Sequence, residues 1–81
     1  MSINTHSEVI AVIENALEFK PGQLGQNARA EEFDKWDSLG QLSILVALDK
    51  LFKGKIANIN EMAEADSIAK IIAILKKHSL I

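Results

Sequence analysis

The chain has 81 residues, 48% of them apolar and 25% charged, with eleven acids against nine bases and a formal net charge of -2. A chain this short buries only about 60% of the surface its unfolded form exposes, so one core consumes it and a cleft between two domains is excluded. The mild charge balance argues against a nucleic-acid surface, and the lack of cysteine excludes disulfide frameworks, thiolate metal sites and a cysteine nucleophile.

Only Phe19, Phe33, Trp36 and Phe52 are aromatic, while Leu, Ile, Val and Ala dominate, which favours helices over a β sandwich. The start, Met1 to Ser7, is polar and lacks the basic opening and apolar run of a signal peptide. No apolar stretch approaches the length of about 18 residues that a membrane span requires. The expectation is a single all-α cytoplasmic domain over residues 1–81, with no membrane span.

After Ser7, an expected N-cap, the residues Val9, Ile10, Val12, Ile13, Ala16 and Leu17 recur at three- and four-residue steps. Glu8 suits the positive end of the helix dipole, and the spacing predicts a first helix from about residue 8 to 18. Lys20 to Asp37 carries Pro21, Gly22, Gly25 and the charged run Glu31, Glu32, Asp34 and Lys35, and reads as a long loop. A loop this long in a small domain needs tying down, and Leu24, Phe33 and above all Trp36 are the anchors available.

Ser38 to Phe52 gives the strongest helical signal, with Asp37 as N-cap and Gly54 as the stop. Asn58 to Glu64 predicts a turn or two of helix, with Asn60 as its cap and Met62 as its apolar contact. A last amphipathic helix opens at Asp66 or Ser67 and carries Ile68, Ile71, Ile72 and Leu75 inside, with Lys70, Lys76 and Lys77 outside.

At about 100° per residue the apolar side chains of the second helix fall into two stripes. Ile44, Leu48, Leu51 and Phe52 form one, with Leu45 on its shoulder. Leu39, Leu42 and Val46, spaced i, i+3 and i+7, form the other, bordered by Ser43, Asp49 and Lys50. One neighbouring helix cannot bury both, and the chain has few helices with which to surround this one. Ser38 lies at the first helical position beside the second stripe, where unpaired backbone N–H groups and the dipole favour a phosphate. Anchor and apolar surface therefore adjoin.

The run Trp36-Asp37-Ser38-Leu39-Gly40, continued by Gln41-Leu42-Ser43-Ile44-Leu45-Val46-Ala47-Leu48-Asp49-Lys50-Leu51-Phe52, resembles the acyl carrier protein family and its Asp-Ser-Leu motif. The order of segments along nearly the whole chain resembles that family too. The resemblance implies a four-helix bundle with a long loop between helices one and two and a short helix three. It implies that Ser38 is esterified by 4'-phosphopantetheine, transferred from coenzyme A by a phosphopantetheinyl transferase, and that acyl-loading and acyl-transferring enzymes use the thiol of that arm. The protein is then a carrier and not an enzyme, because the thiol belongs to the prosthetic group and no side chain acts as acid, base or nucleophile. By the same resemblance Asp37 helps position the serine, Leu39, Leu42 and Val46 meet partner enzymes or the acyl chain, and Ile44, Leu48 and Phe52 fill the core. A monomer is expected.

Two departures from the family narrow the reading. Many fatty-acid carriers have a strongly acidic second helix, whereas this one carries Gly40, Gln41 and Ser43 after the motif and Lys50 and Lys53 beyond. A dedicated carrier in a specialised lipid, polyketide or saccharide-modifying pathway fits that better than the housekeeping role. Lys35 and Trp36 stand where many peptidyl carriers have Gly-Gly, so an aminoacyl or peptidyl cargo is the weaker alternative.

Other classes are a helical interaction module that never carries the arm, and a helix-turn-helix DNA binder. The DNA binder wants a helix studded with Arg and Lys, and the sole arginine, Arg29, lies in the loop. His6 and His78 are assigned no role, metal binding included, and the acids from Glu31 to Asp37 lack the spacing of a calcium loop.

Overall fold

The structure, a computed structural model, describes residues 6–81. Its regular elements are three α-helices, α1 (His6–Ala16), α2 (Ser38–Leu51) and α3 (Ile68–Lys77), and two short 3₁₀ segments, Ala30–Glu32 and Asn60–Glu64. Among the described residues there is no strand, only an isolated antiparallel bridge between Arg29 and Ser67. At that bridge the Ala30 amide donates to the Asp66 carbonyl at 2.7 Å and the Ile68 amide to the Ala28 carbonyl at 3.0 Å. The long loop is thereby fastened to the start of α3.

Each helix ends in the same way. Glu18, Lys53 and Ser79 adopt left-handed φ of 61°, 57° and 59°. The amides that follow reach back to the last turn, Phe19 to Glu14 at 2.8 Å, Gly54 to Asp49 at 2.8 Å and Leu80 to Leu75 at 2.9 Å. These are Schellman closures, which ordinarily place glycine at the left-handed position, and here none of the three does. Gly54, expected as the stop for α2, is the next residue along, with φ of 86°.

The first helix is shifted from the expected span. It is already helical at His6, so Ser7 lies inside it, and any cap falls outside the described residues. It stops at Ala16 because Glu18 reverses the backbone. In α2, Phe52 is the C-cap and not a helical residue. The expected helix around residues 58–64 is a five-residue 3₁₀ segment whose N-cap is Ile59, not Asn60. The approach to it is pinned, since the Asp49 carboxylate accepts the Ile56 and Ala57 amides at 3.1 and 3.0 Å, and Met62 within it is buried. That leaves no length for an α-turn to propagate. Within the stretch expected as loop, Ala30–Glu32 forms a 3₁₀ turn. In α3 the cap is Ser67, whose hydroxyl accepts the Lys70 amide at 3.1 Å.

The core is one cluster. Val9, Ile13 and Leu17 from α1, Ile44, Leu48 and Phe52 from α2, and Ile68, Ile71 and Leu75 from α3 are all buried. The division of α2 into two stripes is therefore physical. Ile44 and Leu48 have no exposed surface, whereas Leu39, Leu42 and Val46 are 75%, 57% and 49% exposed. Replacing Leu48 by Ala is expected to cost about 2–5 kcal/mol in urea unfolding, and Leu39→Ala under about 1 kcal/mol. Equal losses would mean that both stripes are packed.

The 3₁₀ segment Asn60–Glu64 is also clasped from the end of α3. Glu61 pairs with Lys77 at 3.3 Å and with His78 at 3.1 Å, a contact for His78 that its position in the sequence did not suggest. The hydrogen bond from His78, then that from Lys77, holds the Glu61 carboxyl below its ordinary value of 4.5. An acid whose pKa is lowered by folding adds stability above its unfolded value and loses it as pH falls through the lower folded value. The stability difference between wild type and Glu61→Gln is therefore expected to shrink between about pH 5 and about pH 3. A difference that grew on acidification would contradict the clasp.

Candidate functional site

Asp37 turns the chain into α2. Its extended backbone ends the loop, and its carboxylate accepts the Gly40 amide at 2.9 Å, the side-chain cap that an aspartate supplies at a helix start. Ser38 follows at the first helical position with its side chain exposed. The Ser38 and Leu39 amides have no acceptor among the described residues, so the start of the helix offers two orphan donors beside an accessible hydroxyl.

Trp36, expected as a loop anchor, is 4% exposed. Its indole Nε1 donates to the Gln41 side-chain oxygen at 2.7 Å, and the Gln41 amide nitrogen donates to the Met62 and Ala65 carbonyls at 3.1 and 3.0 Å. One side chain thus joins the loop before Ser38, the first turn of α2 and the 3₁₀ segment, with its oxygen and its NH₂ group both engaged. A second device lies one residue earlier. A Cβ on Gly40 would stand 2.2 Å from the Lys35 carbonyl oxygen and 2.9 Å from Leu17 Cδ2, so only glycine lets the loop cross the helix here.

Beside Ser38 a cleft of 330 Å³ runs between Trp36, Gln41 and the 3₁₀ segment, with Glu64 and Asp66 on its wall. Lys70, 2.9 Å from Asp66, holds that carboxyl below its ordinary range. On the other side of the serine the exposed stripe climbs α2. It is flanked by a groove of 690 Å³ against α1, where Val12 and Ala16 face Leu42, and by one of 390 Å³ against the 3₁₀ segment, where Leu45 faces Ile59. Val46 and Lys50 line both grooves and form the ridge between them.

The structure therefore gathers Asp37, Ser38, Leu39, Leu42 and Val46 on one accessible edge of α2, with the serine at its foot. It also reveals supports that the sequence did not flag. Gln41 and Gly40 count in the sequence only as departures from an acidic helix, and Glu14 has no role there, yet the buried Glu14 carboxylate accepts the Leu24 amide at 2.9 Å and moors the loop. A glutamate one position after the buried Ile13 is no local signal, because its partner lies ten residues away. Among the described residues no group of three or more His, Asp or Glu could hold a metal ion, and no helix is long and apolar enough to cross a membrane.

The crossing at Gly40 generates a prediction whose sign is unusual. Glycine to alanine inside a helix ordinarily stabilises by about 0.5–1 kcal/mol. Gly40→Ala is instead expected to destabilise by about 1–3 kcal/mol in urea unfolding, because the Lys35 carbonyl must move. A gain in stability would show that the loop does not lie across α2 as described. In comparisons with known proteins, no family model, no curated protein and no solved structure matches this chain.

Proposed function

We propose that the chain is an acyl carrier protein whose Ser38 bears a 4'-phosphopantetheine arm. The observation that carries this reading is the exposed serine at the first position of α2, next to two orphan amides and at the foot of an exposed apolar stripe. A phosphate ester on Ser38 finds unpaired donors and the positive end of a 14-residue helix. When bound, the group supplies a thiol that holds acyl cargo as a thioester.

The chain's own residues have complementary tasks. Asp37 fixes the helix start and so the direction of the serine. The Trp36–Gln41–Met62 linkage holds the loop that presents it. Leu39, Leu42 and Val46 offer an apolar track to partner enzymes or to the acyl chain. In this reading the 3₁₀ segment Asn60–Glu64 stands for the short third helix of a four-helix bundle, reduced to five pinned residues. The partners are a phosphopantetheinyl transferase and acyl-loading and acyl-transferring enzymes, acting on a monomeric cytoplasmic carrier in a specialised lipid, polyketide or saccharide-modifying pathway.

The test is the intact mass of the purified protein before and after incubation with coenzyme A and a broad-specificity phosphopantetheinyl transferase. A gain of one phosphopantetheine on the wild type and none on Ser38→Ala is the expected result. No gain on folded protein, while a known carrier in the same tube is modified, would overturn the reading in favour of an interaction module that uses the same stripe.

A further inference from the structure

The exposed face of α2 combines three observations. Leu39, Leu42 and Val46 leave between 49% and 75% of their surface in water, an unusual concentration for a helix of a small domain. Among the residues lining the two grooves beside this ridge, only Lys50 and Asp49 are charged. The two differ in what they can still do. Asp49 already accepts the Ile56 and Ala57 amides and closes the turn beyond α2. Lys50 is exposed and joins no ion pair among the described residues, and the same holds for Lys53, just past the helix end.

We infer that this face docks a partner surface that is apolar at its centre and carries carboxylates at the end that meets Lys50, with Lys53 three residues further along the chain as a second exposed cation. The two grooves receive apolar side chains on either side of the Val46 ridge, and the lysines fix the register. A partner with a basic rim would set like charges against Lys50 at contact distance, where repulsion discriminates most strongly. The attraction is local. The chain as a whole is acidic, so its long-range field repels such a partner, and the preference acts only within about a Debye length of 8–10 Å. The inference rests on the carrier reading only in expecting a protein partner there, since neither the stripe nor the lysines depend on what Ser38 bears.

The experiment uses two synthetic amphipathic helical peptides with the same leucine face, one flanked by glutamates and the other by lysines. Each is titrated into isotope-labelled Ser38→Ala protein while the backbone amide shifts are followed, so the result is independent of phosphopantetheine transfer. The expected result is tighter binding of the acidic peptide by about fivefold or more at low salt, with shifts centred on Leu42, Val46 and Lys50. Lys50→Glu should invert that preference, and Leu42→Ser should weaken both peptides while leaving their ratio intact. Net charge alone favours the basic peptide, so a preference for the acidic one requires a local cationic site, which the shift map and Lys50→Glu assign to this face or to another. Tighter binding of the basic peptide, shifts centred elsewhere, no shifts with either peptide, or a preference unchanged by Lys50→Glu would each overturn the inference. A positive mass test with a negative titration would leave the carrier reading standing alone, and the reverse pair of results would leave the docking face alone.

Discussion

The Lys35 carbonyl passes so close over Gly40 that a single methyl group there would stop it, and the geometry around Ser38 depends on that crossing. The loop must come down onto α2 at this height for Asp37 to reach the helix start and for the Trp36 indole to find Gln41. Gln41 in turn needs the 3₁₀ segment within reach, and that segment is held in place by buried Met62 and by the clasp on Glu61. A residue with no side chain thus decides how a loop, a helix and a short turn meet. Such a position is intolerant in a way that burial alone does not convey, since the obstacle is backbone and cannot rotate aside.

Polar side chains do much of the assembly. Glu14 moors the loop at Leu24, Asp49 gathers the turn after α2, Asp37 and Ser67 cap the two later helices, and Gln41 ties three segments together. Among the described residues no buried side-chain nitrogen or oxygen lacks a partner, so none of these groups pays the desolvation cost of being left alone. In a chain of this length the apolar core is small, and a net gain of about 1 kcal/mol from each satisfied bond is a material share of the total stability.

What could be read from the sequence followed from periodicity and caps. The three helices, the buried and exposed stripes of α2, the caps at Asp37 and Ser67 and the burial of Trp36 all rest on signals within one or two turns of chain. The errors share a different origin. α1 ends two residues and α2 one residue before the expected ends because the reversing residues are Glu18 and Lys53, and of the two reversals only the second has a glycine beside it, Gly54, to mark it in the sequence. The segment expected as a turn or two of helix over residues 58–64 is helical only as five 3₁₀ residues capped by Ile59, because its pinning by Asp49, Gln41 and Glu61 joins residues far apart in sequence. At the candidate site the serine, its cap and its apolar neighbours were legible, while the supports Gly40, Gln41 and Glu14 acquire meaning only from partners that the fold brings to them.

Trp36 is the sole tryptophan of a chain with no tyrosine, so its indole is practically the only near-ultraviolet chromophore the molecule owns. It sits two residues before Ser38, nearly sealed from water and tethered through its nitrogen to the side chain that spans loop, helix and turn. Fluorescence from this protein is therefore a local signal and not an average over the fold. Its colour and intensity report the environment of one junction, so whatever loosens or tightens the seat of the serine is written into the emission without any label being attached.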